Sequence, residues 1–310
     1  MRWVTYGTPK EPDRAGLIRG DMIHALKPGV TLLNLLDEQD GLAAAEQHAL
    51  TSPDQVVPLS SVDLRAPLQP RSIRDCLGFL QHLHNCASGG QFEISERYAQ
   101  VPAFYFANTA AVIGPHDDVP ISPGTQQFDY ELEVCAVIGK SGANIRREDA
   151  PDHIAGYMIL CDWSARDLQV QDMSMGLGPS KGKDGVNTLG PMLVTPDELE
   201  PHRNRKGFAL SMTGQVNGET VSHGSWDDID WDFADMVAYT SRGTRLRPGD
   251  IIGSGTVPTG CLLEHYRMDP NGFRGWLAPG DEVRLIVDKL GEIHQRIIDG
   301  PALHPLSTGF

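Results

Sequence analysis

The sequence predicts an α+β fold that is mainly β, with a small N-terminal domain ahead of a larger one. Its 310 residues suffice for one large domain or for a main domain with a small one attached. Glycine (33) and proline (22) are plentiful, as is typical of chains with many turns. Short alternating or β-branched runs bounded by Gly, Pro and Asp recur along most of the chain, which is the pattern of strands.

Residues 1–70 are predicted to form the small domain, which is of α/β type. Short strands are predicted over 2–7, 14–26 and 31–36. The run GLAAAEQHAL, residues 41–50, predicts one short helix. The stretch 56–75 contains three prolines and few helix signals, so we interpret it as a connector into the second domain, residues 71–310.

The second domain is predicted to be mainly β. Its strands are expected in the runs 110–115, 129–140, 156–164, 190–194, 208–221, 250–255 and 281–297. Asn217-Gly218 lies between alternating segments and predicts a hairpin turn. Helices are expected around 73–86, 164–173 and 231–241. The segment 83–104 has no strong pattern, and it is either a lid or binding loop or an ordinary surface excursion.

Charge and cysteine content exclude several classes of protein. Lys plus Arg total 26 against 41 for Asp plus Glu, a net charge of −15, which argues against nucleic acid or an anionic membrane as partner. An anionic substrate stays compatible, because one bound metal can reverse the local field. The five cysteines form no C-x-x-C pair, so we expect no disulfide framework and a cytoplasmic location. We find no signal peptide and no apolar run near the roughly 18 residues of a membrane span.

Two glutamates in an alternating run are the first candidates for chemistry. Glu131 and Glu133 lie on one face of the strand predicted over 129–140, roughly 6–7 Å apart for a rise of ~3.3 Å per residue. A solvated strand face is the alternative interpretation. The apolar continuation VCAVIG favours a core strand instead, where two like charges need a counter-ion.

A third acid, Asp162, ends the apolar run GYMILCD. Asp162 either caps the following helix, with Arg166 and Gln169 in the first turns, or joins the glutamates at a strand end. Oxygen ligands without histidine favour Mg²⁺, Mn²⁺ or Ca²⁺ over zinc. The run LGPSKGKDG has neither P-loop nor dinucleotide-loop spacing, and no G-x-S-x-G occurs, so nucleotide enzymes and serine hydrolases are disfavoured.

Four segments resemble the fumarylacetoacetate hydrolase family, in this order along the chain: DYELEVCAVIGK, GYMILCDWSARDLQ, KGKDGVNTLGP and IIGSGTVPTGCLLE. The most specific feature is E-x-E followed about 30 residues later by D-x-S-A-R-D-x-Q, and the resemblance covers roughly residues 70–300. It implies a mixed β-sandwich roll preceded by a small N-terminal domain, and a homodimer.

The resemblance also implies a site. The metal acids are Asp75, Glu131, Glu133 and Asp162, and the catalytic residues are His82, Glu264, Arg166, Gln169 and Lys181. Asp75 precedes His82 by seven residues, as the family's pattern requires, whereas His84 has no match. Lys183 stands where the family has phenylalanine, so the lysine role is open between Lys181 and Lys183. Tyr105 and Thr256 resemble substrate-binding positions, with core packing as the alternative for Tyr105.

The function implied is a divalent-metal-dependent hydrolase, with Mg²⁺ first among the metals. It would cleave a C–C bond in a small anionic 1,3-diketo acid such as an acylpyruvate, fumarylacetoacetate or a ring-cleavage product of aromatic catabolism. His82, oriented by Glu264, would activate water, and the metal would stabilise an enolate. The same site would also serve an isomerase, tautomerase, decarboxylase or hydratase. A non-catalytic, metal-dependent ligand-binding protein is the alternative from another class.

Overall fold

A computed structural model describes residues 1–8, 11–90 and 93–307 of the chain. The strands are β1 (Arg2–Thr8), β2 (Glu11–Arg19), β3 (Met22–Ala25), β4 (Gln55–Pro58), β5 (Asp63–Arg65), β6 (Ile73–Cys76), β7 (Phe104–Ala107), β8 (Val112–Ile113), β9 (Val119–Pro120), β10 (Phe128–Asp129), β11 (Leu132–Ile138), β12 (Gly142–Ala143), β13 (Ile154–Asp162), β14 (Ser164–Ala165), β15 (Asn187–Val194), β16 (Arg203–Asn204), β17 (Gly207–Phe208), β18 (Ser211–Val216), β19 (Glu219–Ser225), β20 (Arg245–Leu246), β21 (Ile251–Gly253), β22 (Glu282–Val287) and β23 (Gly291–Ile298). The α-helices are α1 (Leu32–Asp37), α2 (Gly41–Thr51), α3 (Leu80–Cys86), α4 (Arg166–Ser174), α5 (Pro196–Leu199), α6 (Phe233–Thr240) and α7 (Leu262–Met268).

A mixed sheet of twelve strands forms the framework. Its order is β4-β3-β2-β1-β15-β13-β11-β21-β6-β7, with β5 beside β1 and β8 beside β15. The N-terminal strands continue this sheet, because β1 pairs with β15 in antiparallel fashion. The domain boundary at residue 70 stays a prediction. A second sheet, in the order β19-β18-β22-β23-β9, completes the mainly β architecture, and the predicted fold class is confirmed.

Strand β11 is buried on both faces, which explains its continuous apolar sequence. Leu132 and Val134 belong to a core that they share with residues of the second sheet. Cys135 and Val137 point the other way, into a core covered by α1 and α2. The large sheet is therefore the middle layer, with the second sheet on one face and the N-terminal helices on the other.

Several predicted elements are confirmed. Helix α2 lies where the run 41–50 predicted it, and α4 and α6 match the helices expected around 164–173 and 231–241. The Asn217-Gly218 hairpin joins β18 and β19, with φ of 54° and 81° at its two central residues. These positive φ values explain the residue choice, because Asn and Gly adopt the left-handed region most readily.

Other predicted elements differ in the structure. Residues 31–36 form helix α1 rather than a strand, because Thr31 and Asn34 make a capping box and the leucines after Thr31 bury one helical face. The supposed connector 56–75 contains β5 and most of β6. The helix expected over 73–86 is strand β6 followed by helix α3, since β6 is held by β21 on one side and β7 on the other.

No helix among the described residues is long and apolar enough to cross a membrane. All five cysteines are buried and unpaired. The segment 83–104 contains the end of α3 and a 3-10 helix over Glu96–Ala99, and its residues 91 and 92 lie outside the described part of the chain.

Candidate active site

Neighbouring strands of the large sheet bring the predicted metal acids together. Asp162 ends β13, Glu133 lies on β11, and Asp75 lies on β6. Strand β21 runs between β11 and β6, and its Gly253 pairs with Asp75. A Cβ atom at Gly253 would lie 2.3 Å from Asp75 Oδ1, so the absence of a side chain there leaves room for the carboxylates.

The four acids form a compact, buried cluster. One oxygen from each of Asp75, Glu131, Glu133 and Asp162 lies within 4.8 Å of the others. No donor in the described structure reaches Asp75 Oδ1, Glu133 Oε1 or Asp162 Oδ1, although all three are buried. Buried acceptors without partners are costly, and a divalent cation would satisfy all three. The oxygen-only donor set fits Mg²⁺, Mn²⁺ or Ca²⁺.

The pKa values in the cluster reflect the crowding of negative charge. Burial, with repulsion from Asp162, raises the pKa of Asp75 to about 8. Burial and the charge on Asp75 raise the pKa of Glu133 well above its usual range. Burial also tends to raise the pKa of Glu131, but the positive charges of Lys183, Arg166 and His82 together outweigh it and the pKa is lowered. Burial and mutual repulsion therefore favour the protonated carboxyls of Asp75 and Glu133 when no divalent cation is bound.

A lysine occupies one side of the cluster. Lys183 Nζ donates to Glu131 Oε2 and to Asp162 Oδ2, at 2.5 Å each, and its side chain is 4% exposed. The side chain of Lys181 is 72% exposed and pairs with Asp184. The structure thus brings Lys183 to the acids and leaves Lys181 outside, so we assign the family's lysine role to Lys183 as a proposal.

A histidine–glutamate pair joins helices α3 and α7. His82 Nδ1 donates to Glu264 Oε1 over 2.8 Å, and both side chains are buried. Glu264 Oε2 accepts from Asn85 Nδ2 at 2.6 Å and from the Thr259 amide at 2.8 Å. Burial lowers the pKa of His82, but the Glu264 carboxylate together with Cys261 more than offsets this and raises the pKa to about 10. His84, on the same helix, is exposed.

Asp129 is a structural partner that sequence reasoning did not single out. Its Oδ2 accepts from Arg166 Nε at 2.8 Å, while its two oxygens also accept from the Leu262 and Leu263 amides at the start of α7. Arg166 in turn lies 2.8 Å from Glu131 Oε1. Through Arg166, Asp129 therefore connects Glu131 of the carboxylate cluster to helix α7, which carries Glu264. Asp129 lies two residues before Glu131, in the same alternating pattern as Glu131 and Glu133. This alternation could have identified it from the sequence.

The remaining predicted residues lie around the cluster. Tyr105 donates to Asp162 Oδ2 at 2.5 Å from strand β7, which borders a cavity of about 730 Å³. Gln169 is half-buried and accepts from Arg166 Nη1 at 3.2 Å. Thr256 is buried and follows Gly255, whose amide donates to Glu133 Oε2.

The raised pKa of His82 predicts how the stability of the metal-free protein depends on pH. The folded state binds this proton up to about pH 10, whereas an unfolded histidine releases it near pH 6.5. The stabilisation is therefore complete below pH 6.5 and is lost as the pH rises towards 10. Melting temperatures in chelator over this range should fall more steeply for the wild type than for Glu264→Gln, and parallel curves would contradict the prediction.

A buried four-carboxylate centre beside a His–Glu dyad, in a mainly β fold, defines a class of metal-dependent acid–base sites. The chain belongs to the fumarylacetoacetate hydrolase family: the family's sequence model, "Fumarylacetoacetate (FAA) hydrolase C-terminal", matches residues 71–298. Members of the family are divalent-metal-dependent enzymes that act on small keto acids. The predicted family is thus confirmed, while the predicted homodimer and cytoplasmic location stay predictions.

Relatives within the family carry more than one activity. Human "Oxaloacetate tautomerase FAHD2A, mitochondrial" is 29% identical over 86% of this chain and 80% of its own length. "Oxaloacetate tautomerase YisK" of Bacillus subtilis (strain 168) is 34% identical over 77% of this chain and 74% of its own. The structure of maleylpyruvate hydrolase from Sphingobium sp. SYK-6 with manganese(II) and pyruvate is 25% identical, with a TM-score of 0.72 over 97% of this chain and all of that one.

Proposed function

We propose that the protein is a divalent-metal-dependent keto–enol tautomerase of a small 2-keto dicarboxylic acid, of the oxaloacetate type. The observation that carries the proposal is the buried His82–Glu264 pair beside the carboxylate cluster, because tautomerisation needs only one positioned group that gives and takes a proton. The raised pKa of His82 supports a proton donor at neutral pH. The tautomerases among the relatives support the substrate class.

The four acids would hold Mg²⁺, with Mn²⁺ or Ca²⁺ as alternatives, and the bound ion would supply Lewis-acid polarisation of a 2-keto acid's oxygens. Around them, this chain contributes two fixed cations. The Arg166 guanidinium is anchored by Asp129 and Glu131, and the Lys183 ammonium by Glu131 and Asp162. Because both are buried and already oriented, they offset the negative charge of a dicarboxylate without further reorganisation.

His82 moves the proton in this proposal. Its Nδ1 is engaged by Glu264, so Nε2 is the nitrogen that serves the substrate. In the enol-to-keto direction Nε2 gives its proton to the carbon beside the keto group, and the enol hydroxyl loses one. One C–H bond forms and one O–H bond breaks, and the neutral imidazole then regains a proton. Glu264 stabilises the imidazolium and fixes the orientation of the ring.

A C–C hydrolase of acylpyruvate, maleylpyruvate or fumarylacetoacetate type is the second candidate, as the sequence first suggested. It is favoured by the same dyad, which in its neutral form can deprotonate water, and by the maleylpyruvate hydrolase among the similar structures. It requires His82 to lose its proton before the reaction, and the raised pKa of His82 opposes this in the metal-free site. Isomerisation, decarboxylation and hydration use the same residues.

The test follows the ultraviolet absorbance of the enol form of oxaloacetate with Mg²⁺, with Mn²⁺ and with a chelator. We expect metal-dependent acceleration of tautomerisation with no carbon–carbon cleavage. Cleavage of acylpyruvates, with oxaloacetate tautomerising at the uncatalysed rate, would transfer the assignment to the hydrolase.

Thermal stability gives a readout of the metal site that is independent of activity. Mn²⁺ at about 100 times its Kd should stabilise the wild type by about 2.7 kcal/mol. Glu133→Gln removes one of the clustered carboxylates and should lose this gain. If Mn²⁺ stabilised Glu133→Gln as much as the wild type, the ion would bind at a place other than the carboxylate cluster.

A further inference from the structure

A second group of donor atoms surrounds His82. Atoms of His82, Cys86 and Cys261 lie within 4.8 Å of one another, and all three side chains are buried. Helix α3 supplies His82 and Cys86 one turn apart, and Cys261 immediately precedes α7. The proposed function uses only the histidine, so the two thiols have no part in it.

Glu264 lies next to this group. Its Oε2 is held by Asn85 and by the Thr259 amide, which leaves Oε1 directed at the other members of the group. Oε1 lies 2.8 Å from His82 Nδ1 and 3.6 Å from Cys261 Sγ. Glu264 Oε1 therefore lies next to two members of the group, His82 and Cys261.

The distance between the Cys86 sulfur and the His82 ring nitrogens is close to that between two ligands of a tetrahedral ion. Zinc bonds of about 2.0–2.3 Å place neighbouring donors roughly 3.3–3.8 Å apart. Cys86 Sγ lies 3.8 Å from His82 Nε2 and 3.9 Å from Nδ1. Glu264 Oε1 is only 2.8 Å from His82 Nδ1, which is a hydrogen-bond distance, so Glu264 is a neighbour of the three donors and not a fourth one.

We propose that His82, Cys86 and Cys261 form a second metal site, for a thiophilic divalent cation such as Zn²⁺, and that its occupation inhibits the enzyme. Coordination releases one proton from each thiol and one from the imidazolium, and the His82 nitrogen that binds the ion can no longer transfer a proton. Burial raises the pKa of the Cys261 thiol, so the ion has to displace a proton that this thiol holds in the metal-free protein. Soft sulfur ligands separate this site from the oxygen-only cluster, which takes harder ions.

Binding is tested apart from catalysis with Co²⁺, whose bonds to thiolates give a charge-transfer absorbance in the near ultraviolet. The protein is kept reduced with a phosphine, and excess Mg²⁺ fills the carboxylate cluster. We expect the absorbance at one ion per chain in the wild type, and also in Cys135→Ala, a buried cysteine outside the group. Cys86→Ala and Cys261→Ala should lose it. Glu133→Gln should keep it, so that failure of the proposed function does not affect this result.

Inhibition is then measured with Zn²⁺ in the presence of saturating Mn²⁺. Half-inhibition of Cys86→Ala should need at least tenfold more Zn²⁺ than half-inhibition of the wild type. Cys86→Ser, which keeps the size of the side chain, should show the same increase. Circular dichroism melts establish that each variant is folded. The proposal is overturned if the wild type shows no thiolate-to-cobalt absorbance, or if both cysteine variants retain it in full.

Discussion

Replacing His82 by glutamine is expected to lower turnover by roughly 10²- to 10⁴-fold, the usual contribution of a positioned acid–base group. His84→Gln on the same helix is expected to leave turnover unchanged. His82 is buried against Glu264, whereas His84 is exposed one half-turn further along the helix. Comparing the two variants tests whether turnover requires the imidazole of His82, since both variants make the same chemical change in helix α3.

The measurement is kcat for the tautomerisation of oxaloacetate at saturating metal. Thermal stabilisation by Mn²⁺ is recorded beside it and should persist in both variants, because neither residue belongs to the carboxylate cluster. A His82→Gln enzyme within threefold of the wild type would remove His82 from the proton transfer, whichever reaction the enzyme performs.

The parts of the fold that could be predicted are those in which local pattern and burial agree. Strand β11 shows this most clearly: its apolar run follows from burial on both faces, and the two glutamates near its start share one side. The hairpin at Asn217-Gly218 follows from the backbone conformation that its turn requires. In each case the sequence contains the physical reason for the element.

Other elements depend on partners distant in sequence. Strand β6 has four residues and no alternation, and it exists because β21 and β7 pair with it on both sides. Helix α7 was not predicted, since its start is stabilised by Asp129 from far upstream. The cluster of His82 with Cys86 and Cys261 could not be predicted for the same reason. Cys261 lies far along the chain from α3, and only the packing of α3 on α7 brings them together.

The residues of the site also divide into those that the sequence predicts and those that only the packing of distant segments reveals. The spacing of Glu131 and Glu133 predicts a shared face, and the resemblance to the family selects Asp75 and His82. The choice between Lys181 and Lys183 could not be made from sequence, because both lie in one short 3-10 helix and only the three-dimensional structure distinguishes the inward from the outward side chain.

Lys183→Met is expected to lower turnover by roughly 10²- to 10³-fold, comparable to the loss of one preorganised donor at a charged transition state. It should also destabilise the metal-free protein by about 3–5 kcal/mol, because removal of one partner leaves buried carboxylates without compensation. Glu131 and Asp162 are the carboxylates concerned, since each accepts from the Lys183 ammonium. A bound divalent cation supplies positive charge at the same place, so the stability deficit should shrink when Mn²⁺ is added.

Lys181→Met is the matched control. Its ammonium is exposed and pairs with Asp184 at the surface, so the change should alter stability by less than about 0.5 kcal/mol and leave turnover within about twofold. Denaturant unfolding with and without Mn²⁺, together with kcat, gives all the required quantities. The reverse pattern, with Lys181→Met inactive and Lys183→Met active, would restore the lysine role to Lys181 and require segment 177–184 to rearrange when substrate binds.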